Sequence, residues 1–198
     1  MLTIEGFTYM INEELVIYGT GNEKCYSLED TYTNKEYRKN MLNGIMNIFL
    51  NQKTFPVILS LIDVGPCFNI CEELRELSIK YSIESFAENH NKNTVINQQV
   101  IEIVIKDEKE LFKVLSHSFK YAGYGQTIMI ASNSIIHNTL FSLGEHLNIR
   151  RIVECSEEPN STIVFNSIDQ LIWGIVTNCQ EYMDKKDFEN IILGKSNI

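Results

Sequence analysis

Apolar residues in this chain follow two different spacings. Four short runs, at 56–62, 100–105, 126–131 and 151–154, hold clusters of consecutive apolar residues, as expected of buried strands. Between them, apolar residues recur every three or four positions. Tyr37, Met41, Ile45, Ile48 and Phe49 share one helical face across 34–52, opposite Lys35, Arg38, Lys39 and Asn43. Ile70, Leu74, Leu77 and Tyr81 form a second stripe after Pro66, a residue suited to the first helical position. Leu111, Val114, Leu115 and Phe119 follow Asp107 and Glu110, which stand at capping-box spacing. Ile136, Leu140, Leu143 and Leu147 follow Ser132-Asn133-Ser134, a run of N-cap residues. Leu171, Ile175, Cys179 and Tyr182 follow a further box formed by Ser167 and Gln170.

At the start of the chain, the β-branched and aromatic stretches 2–11 and 15–18 flank Asn12-Glu13-Glu14 and read as a hairpin. Residues 162–165 read as one more strand, and 85–99, which lacks periodicity, as an exposed loop. Alternation of strands and helices predicts an α/β sandwich. Its central sheet is expected to be mixed but mainly parallel and flanked by helices, with the N-terminal β-hairpin at an edge. The 198 residues suit a single domain spanning 1–198. Within it, 1–52 is a candidate hairpin-plus-helix subregion and 185–198 a frayed tail.

Composition narrows the function classes. A formal net charge of −9 argues against general nucleic-acid binding, which takes clustered Lys and Arg. The basic residues gather only in pairs such as Arg150-Arg151 and Lys185-Lys186. No apolar run approaches the ~18–20 residues of a membrane span, so no membrane association is expected. The first residues lack the cationic and apolar regions of an export signal. Cys25, Cys67, Cys71, Cys155 and Cys179 are odd in number and scattered. They read as reduced thiols of a cytoplasmic protein.

Ligands of open parallel sheets gather at the carboxyl ends of the strands. On that rule the first candidates are Asp63 and His137 for acid–base catalysis, with Ser132, Asn133 and Ser134 as a phosphate or small-ligand loop. Gly65, Cys67, Asp107, Cys155 and Glu157 occupy similar junctions. Cys67 and Cys71 are one helical turn apart, but no second pair at zinc spacing accompanies them, and no metal site is expected. Glu154, Glu157 and Glu158 around Cys155 disfavour its thiolate. The P-loop, dinucleotide, nucleophile-elbow and zincin motifs are all missing from the sequence, and no cofactor is expected.

Residues 126–175, ending in Phe165-Asn166-Ser167-Ile168-Asp169, resemble the final strand-helix-strand-helix of STAS-type anti-sigma-antagonist domains. The resemblance implies the same α/β order. The phosphorylatable loop of that family has no counterpart at Asp63-Val64-Gly65-Pro66, so no residue role carries over. The functional expectation is a regulatory or protein-interaction domain without its own catalysis, with a protein partner. The alternative is a small-molecule binder or enzyme using the crevice at the strand ends.

Overall fold

The computed structural model describes residues 3–4, 8–12, 15–29, 35–63, 70–90, 94–122, 128–143, 146–166 and 172–195. Its strands are β1 (Thr3–Ile4), β2 (Thr8–Asn12), β3 (Leu15–Tyr18), β4 (Lys24–Glu29), β5 (Val57–Asp63), β6 (Ser82–His90), β7 (Thr94–Ile105), β8 (Ile128–Ser132), β9 (Ser134–Leu143), β10 (His146–Cys155), β11 (Thr162–Asn166) and β12 (Ile172–Thr177). The helices are α1 (Lys35–Gln52), α2 (Ile70–Glu76), α3 (Glu108–Ala122) and α4 (Lys185–Ile192). Eight strands form one sheet in the order β1-β4-β12-β11-β8-β5-β7-β6, and four form a second in the order β2-β3-β10-β9.

The expected mainly parallel sheet is therefore corrected. Every pairing in the large sheet is antiparallel. Among the described residues, the single parallel pairing is β10 with β3, in the small sheet. The β2–β3 hairpin lies at an edge, that of the second sheet. Two segments expected as helices are strands: β9 within 134–147, and β12 where 167–182 was to be one long helix. The helices implied by the resemblance to STAS-type domains are lost with them. Residues 85–99, read as a loop, instead supply most of β6 and part of β7, which pair from Ser82↔Glu102 to His90↔Thr94.

Alternate residues along the large sheet face different layers. Val57, Leu59, Leu61, Ile101, Ile103, Ile105, Ile128, Ile130 and Ile175 pack with Ile45, Ile48 and Phe49 of α1 and Leu111, Val114 and Leu115 of α3. The opposite face, with Met129, Ala131, Ile163, Phe165 and Val176, packs against Leu15, Ile17 and Val153 of the small sheet. Ile62, Val100 and Ile149 form a third cluster between the sheets. The result is three layers: helices, large sheet, small sheet. Each fully buried aliphatic side chain contributes roughly 1.5–3 kcal/mol.

Local signals explain where the helices begin. Asp107 Oδ1 accepts from Glu110 N at 2.8 Å, and Glu110 Oε2 reaches back to Lys106 N at 2.9 Å, so the expected box at α3 forms. Asp184 caps α4 by accepting from Lys186 N and Asp187 N. Residues 185–192, expected to fray, are thus helical and bury Phe188, Ile191 and Ile192. Tyr26 stacks on Phe188 with ring centroids 4.3 Å apart, and its hydroxyl donates to Tyr182 O at 2.5 Å. The Tyr182 hydroxyl donates to Ile48 O, which ties α1, β4 and α4 together.

Candidate functional site

Ser132, Asn133 and Ser134 do not open a helix. They form the corner at which the chain leaves the large sheet at the end of β8 and enters the small sheet at the start of β9. Asn133 takes φ +47, a left-handed conformation that Asn tolerates better than most side chains. The corner sets polar backbone beside the core, and hydroxyls satisfy it. Ser132 Oγ accepts from Thr162 N at 3.1 Å and donates to Asn160 O at 3.2 Å. Ser134 Oγ donates to Ser132 O at 3.0 Å and lies 3.0 Å from Ser161 Oγ.

The network extends beyond the predicted residues. Asn178 Oδ1 accepts from Ser161 N at 2.7 Å, and its Nδ2 donates to Ser156 O at 2.9 Å and Glu158 O at 3.0 Å. Gln52 Nε2 donates to Thr162 Oγ1 at 2.6 Å, which lies 2.7 Å from Thr177 Oγ1. Ser161, Thr162, Thr177, Asn178 and Gln52 were missed in the sequence because their partners lie on other strands. None of these hydrogen bonds comes from an imidazole, carboxylate or amine. A serine nucleophile takes its reactivity from such a base, and these hydroxyls are engaged in joining strands.

The other candidates are spread apart. Asp63 closes β5, but its side chain lies outside the described residues, as do Gly65 and Cys67. His137 is exposed at the middle of β9, opposite Ile152, so it faces solvent rather than a strand-end crevice. The antiparallel large sheet has no common carboxyl edge, which removes the rule that selected these positions together. Among the described residues, no group of three His, Cys, Asp or Glu could hold a metal ion. No described helix is long and apolar enough to cross a membrane.

Burial reorders the reading of Cys155. Its thiol is pushed up to about 12 first by burial, then by the Glu23 carboxylate and by Cys25. The contributions come from residues distant in sequence rather than from the three neighbouring glutamates. Glu23 is itself 5% exposed. Burial alone would raise its pKa, but donors from Thr20 N, Thr20 Oγ1 and Gly21 N outweigh it and hold the carboxyl below its usual range. Arg151, half of an apparent surface pair in the sequence, points inward between Ile149 and Val153 and is fully buried.

A groove of about 530 Å³ lies between α1 and α4, over β4. Leu28, Asn40, Met41, Asn43, Asn47, Ile192 and Leu193 line it. Gly44 brings the helices close, since a Cβ there would sit 3.1 Å from Ile192 Cγ2. Asn47 Nδ2 donates to Ile192 O at 3.0 Å and so satisfies the end of α4. Asn40 and Asn43 are exposed one turn apart on the same helix, and Leu193 is 62% exposed. Among the described residues, no side chain lining the groove is acidic, basic or a nucleophile.

No protein-family model matches the chain, nor does any curated protein or solved structure.

Proposed function

We propose that this chain is a protein-interaction domain without catalysis of its own, and that its α1–α4 groove receives an extended peptide segment of a protein partner. The lining of the groove carries this reading: exposed carboxamides beside aliphatic side chains, with no titratable group among the described lining residues. A carboxamide offers one acceptor and two donors, which match the C=O and N–H of an extended backbone. Met41 and Leu193 supply adaptable apolar contact for the peptide's side chains. The neutral lining favours an uncharged segment. Cys71, Cys155 and Cys179 are free thiols, which supports the reducing cytoplasm as the compartment.

The test is selection of linear peptides from a displayed random library on the full chain, followed by binding to the variant Asn43→Arg. Asn43 is exposed, so the substitution leaves the fold intact while placing a long cation in the groove. Expected are peptides rich in uncharged residues whose affinity drops at least about tenfold in the variant, a loss of about 1.4 kcal/mol. Peptides indifferent to Asn43→Arg, or no enrichment at all, would refute the reading. A thermal-shift response to sugar phosphates or nucleotides that Asn43→Arg abolishes would replace it with a small-ligand site.

A further inference from the structure

Among the described residues, β9 is the outer strand of the small sheet. It is long for an edge strand, ten residues, and pairs with β10 in unbroken register from Leu143↔His146 to Ser134↔Cys155. It contains no Asp, Glu, Lys, Arg or Pro. Edge strands are ordinarily blunted by charge, proline, a bulge or shortness, and β9 has none of these. The other long edge, β6, carries Glu84 and Glu88. An edge left bare in this way is a template for another strand.

The sequence of β9 names that strand. Ser134-Ile135-Ile136-His137-Asn138-Thr139-Leu140-Phe141-Ser142 reads the same in chemical type from either end. We propose that β9 pairs antiparallel with β9 of a second copy about a two-fold axis through Asn138, joining the two four-stranded sheets into one. The register sets Ser134 opposite Ser142, Ile135 opposite Phe141, Ile136 opposite Leu140 and His137 opposite Thr139. An axis perpendicular to the sheet requires facing residues to share a side, so it falls on a residue. Centred on His137, it would set Ile135 against Thr139 and Ile136 against Asn138. Centred on Thr139, it would set Ile136 against Ser142 and Asn138 against Leu140. Only the Asn138 centre matches like with like.

A second observation falls on the same residue. Asn138 Nδ2 donates to Glu84 Oε2 at 2.9 Å, yet Asn138 Oδ1 is buried and accepts no hydrogen bond among the described residues. A buried carbonyl oxygen left in this state is uncommon in native folds. In the pair, the two Asn138 carboxamides face each other across the axis. Ile135, which is 57% exposed in the single chain, gains an apolar neighbour. A second copy gives a closed, isologous contact in which neither β9 edge stays open.

The test is sedimentation and light scattering of the full chain at micromolar concentration. A species of twice the 22.9 kDa chain mass is expected, tightening with added salt because each copy carries −9. His137 and Thr139 are exposed, so paired charges can be placed there without disturbing the core. His137→Glu/Thr139→Glu sets glutamates opposite each other twice and should weaken the dimer at least about tenfold. His137→Lys/Thr139→Lys should do the same although it lessens the net negative charge. His137→Lys/Thr139→Glu sets Lys opposite Glu twice and should restore the dimer. Melting temperatures of all three confirm folding. A monomer throughout, a dimer indifferent to the like-charge variants, or a Lys/Glu variant no better than Glu/Glu would overturn the proposal.

Discussion

Gly174→Ala should destabilise the protein through one side chain, Phe165. The two residues are cross-strand partners in β11 and β12. An added Cβ at Gly174 would lie 2.8 Å from Phe165 Cε1 and closer still to Cζ and Cε2, so the aromatic ring occupies the space above the glycine. The ring is only 5% exposed and packs in the cluster between the sheets with Met129, Ile163 and Val176. It therefore has no solvent to retreat into. Overpacking of this kind costs about 1–3 kcal/mol, or roughly 2–12 °C in Tm at about 2–4 °C per kcal/mol for a chain of this size. Urea unfolding should show a lower midpoint at unchanged slope. The same substitution in a Phe165→Leu background should be nearly neutral, because the clashing ring atoms are gone. The coupling between the two sites should then reach about 0.5–3 kcal/mol. Equal effects in both backgrounds, or a neutral Gly174→Ala in the parent, would show that the ring does not lie over the glycine.

Three further outcomes follow from the corner and the buried groups. Asn133→Gly should be nearly neutral and Asn133→Val should lose about 1–2 kcal/mol by urea titration, because the corner holds φ +47. Equal behaviour of the two would place the chain outside the left-handed region. The Glu23 carboxyl is held below its usual range in the fold, so its contribution is present above the unfolded value of about 4.3 and disappears as pH falls through the folded one. Glu23→Gln should thus lower stability at neutral pH and flatten the acid limb of the stability curve, and an unchanged acid limb would contradict the assigned donors. Cys155, with its thiol near 12, should resist iodoacetamide at pH 8 until urea unfolds the chain. Mass spectrometry reads this directly, and rapid labelling of the native protein would exclude the half-buried placement beside Glu23.

Two helices that were legible in the sequence, α1 and α3, share a feature that the misread segments lack inside their strands. Leu111, Val114 and Leu115, like Met41, Ile45, Ile48 and Phe49, include steps of one and three residues. No strand can bring such steps to one face, so period alone settles α1 and α3. Ile136 and Leu140, or Leu171, Ile175 and Cys179, are separated by steps of four, which suit either structure because four is also even. The odd steps in those stripes fall at or beyond the strand ends, at Leu143 and Tyr182. Residue type was the remaining discriminator: Ile172, Trp173, Ile175, Val176 and Thr177 are β-formers. The loop reading of 85–99 failed for the opposite reason, since the strands there carry polar side chains on paired backbone.

The same ambiguity governs the Ser132-Asn133-Ser134 signal. A helix cap, an anion loop and a corner between sheets all place small hydroxyl and amide residues where backbone groups lose their ladder partners. What distinguishes them is the next ten residues, and in β9 those residues carry the more specific message. The chain holds 22% charged residues and distributes them over β6, the edge strand of its large sheet, but withholds them from β9. Solubility alone would favour charge on both long edges, β6 and β9. The lack of charge on one, together with its palindromic order and the unsatisfied amide at its centre, is the pattern expected of a strand whose edge is completed by a partner. The position of His137 follows: exposed in the single chain, it stands beside the proposed axis, where a charge of either sign becomes a probe of the interface.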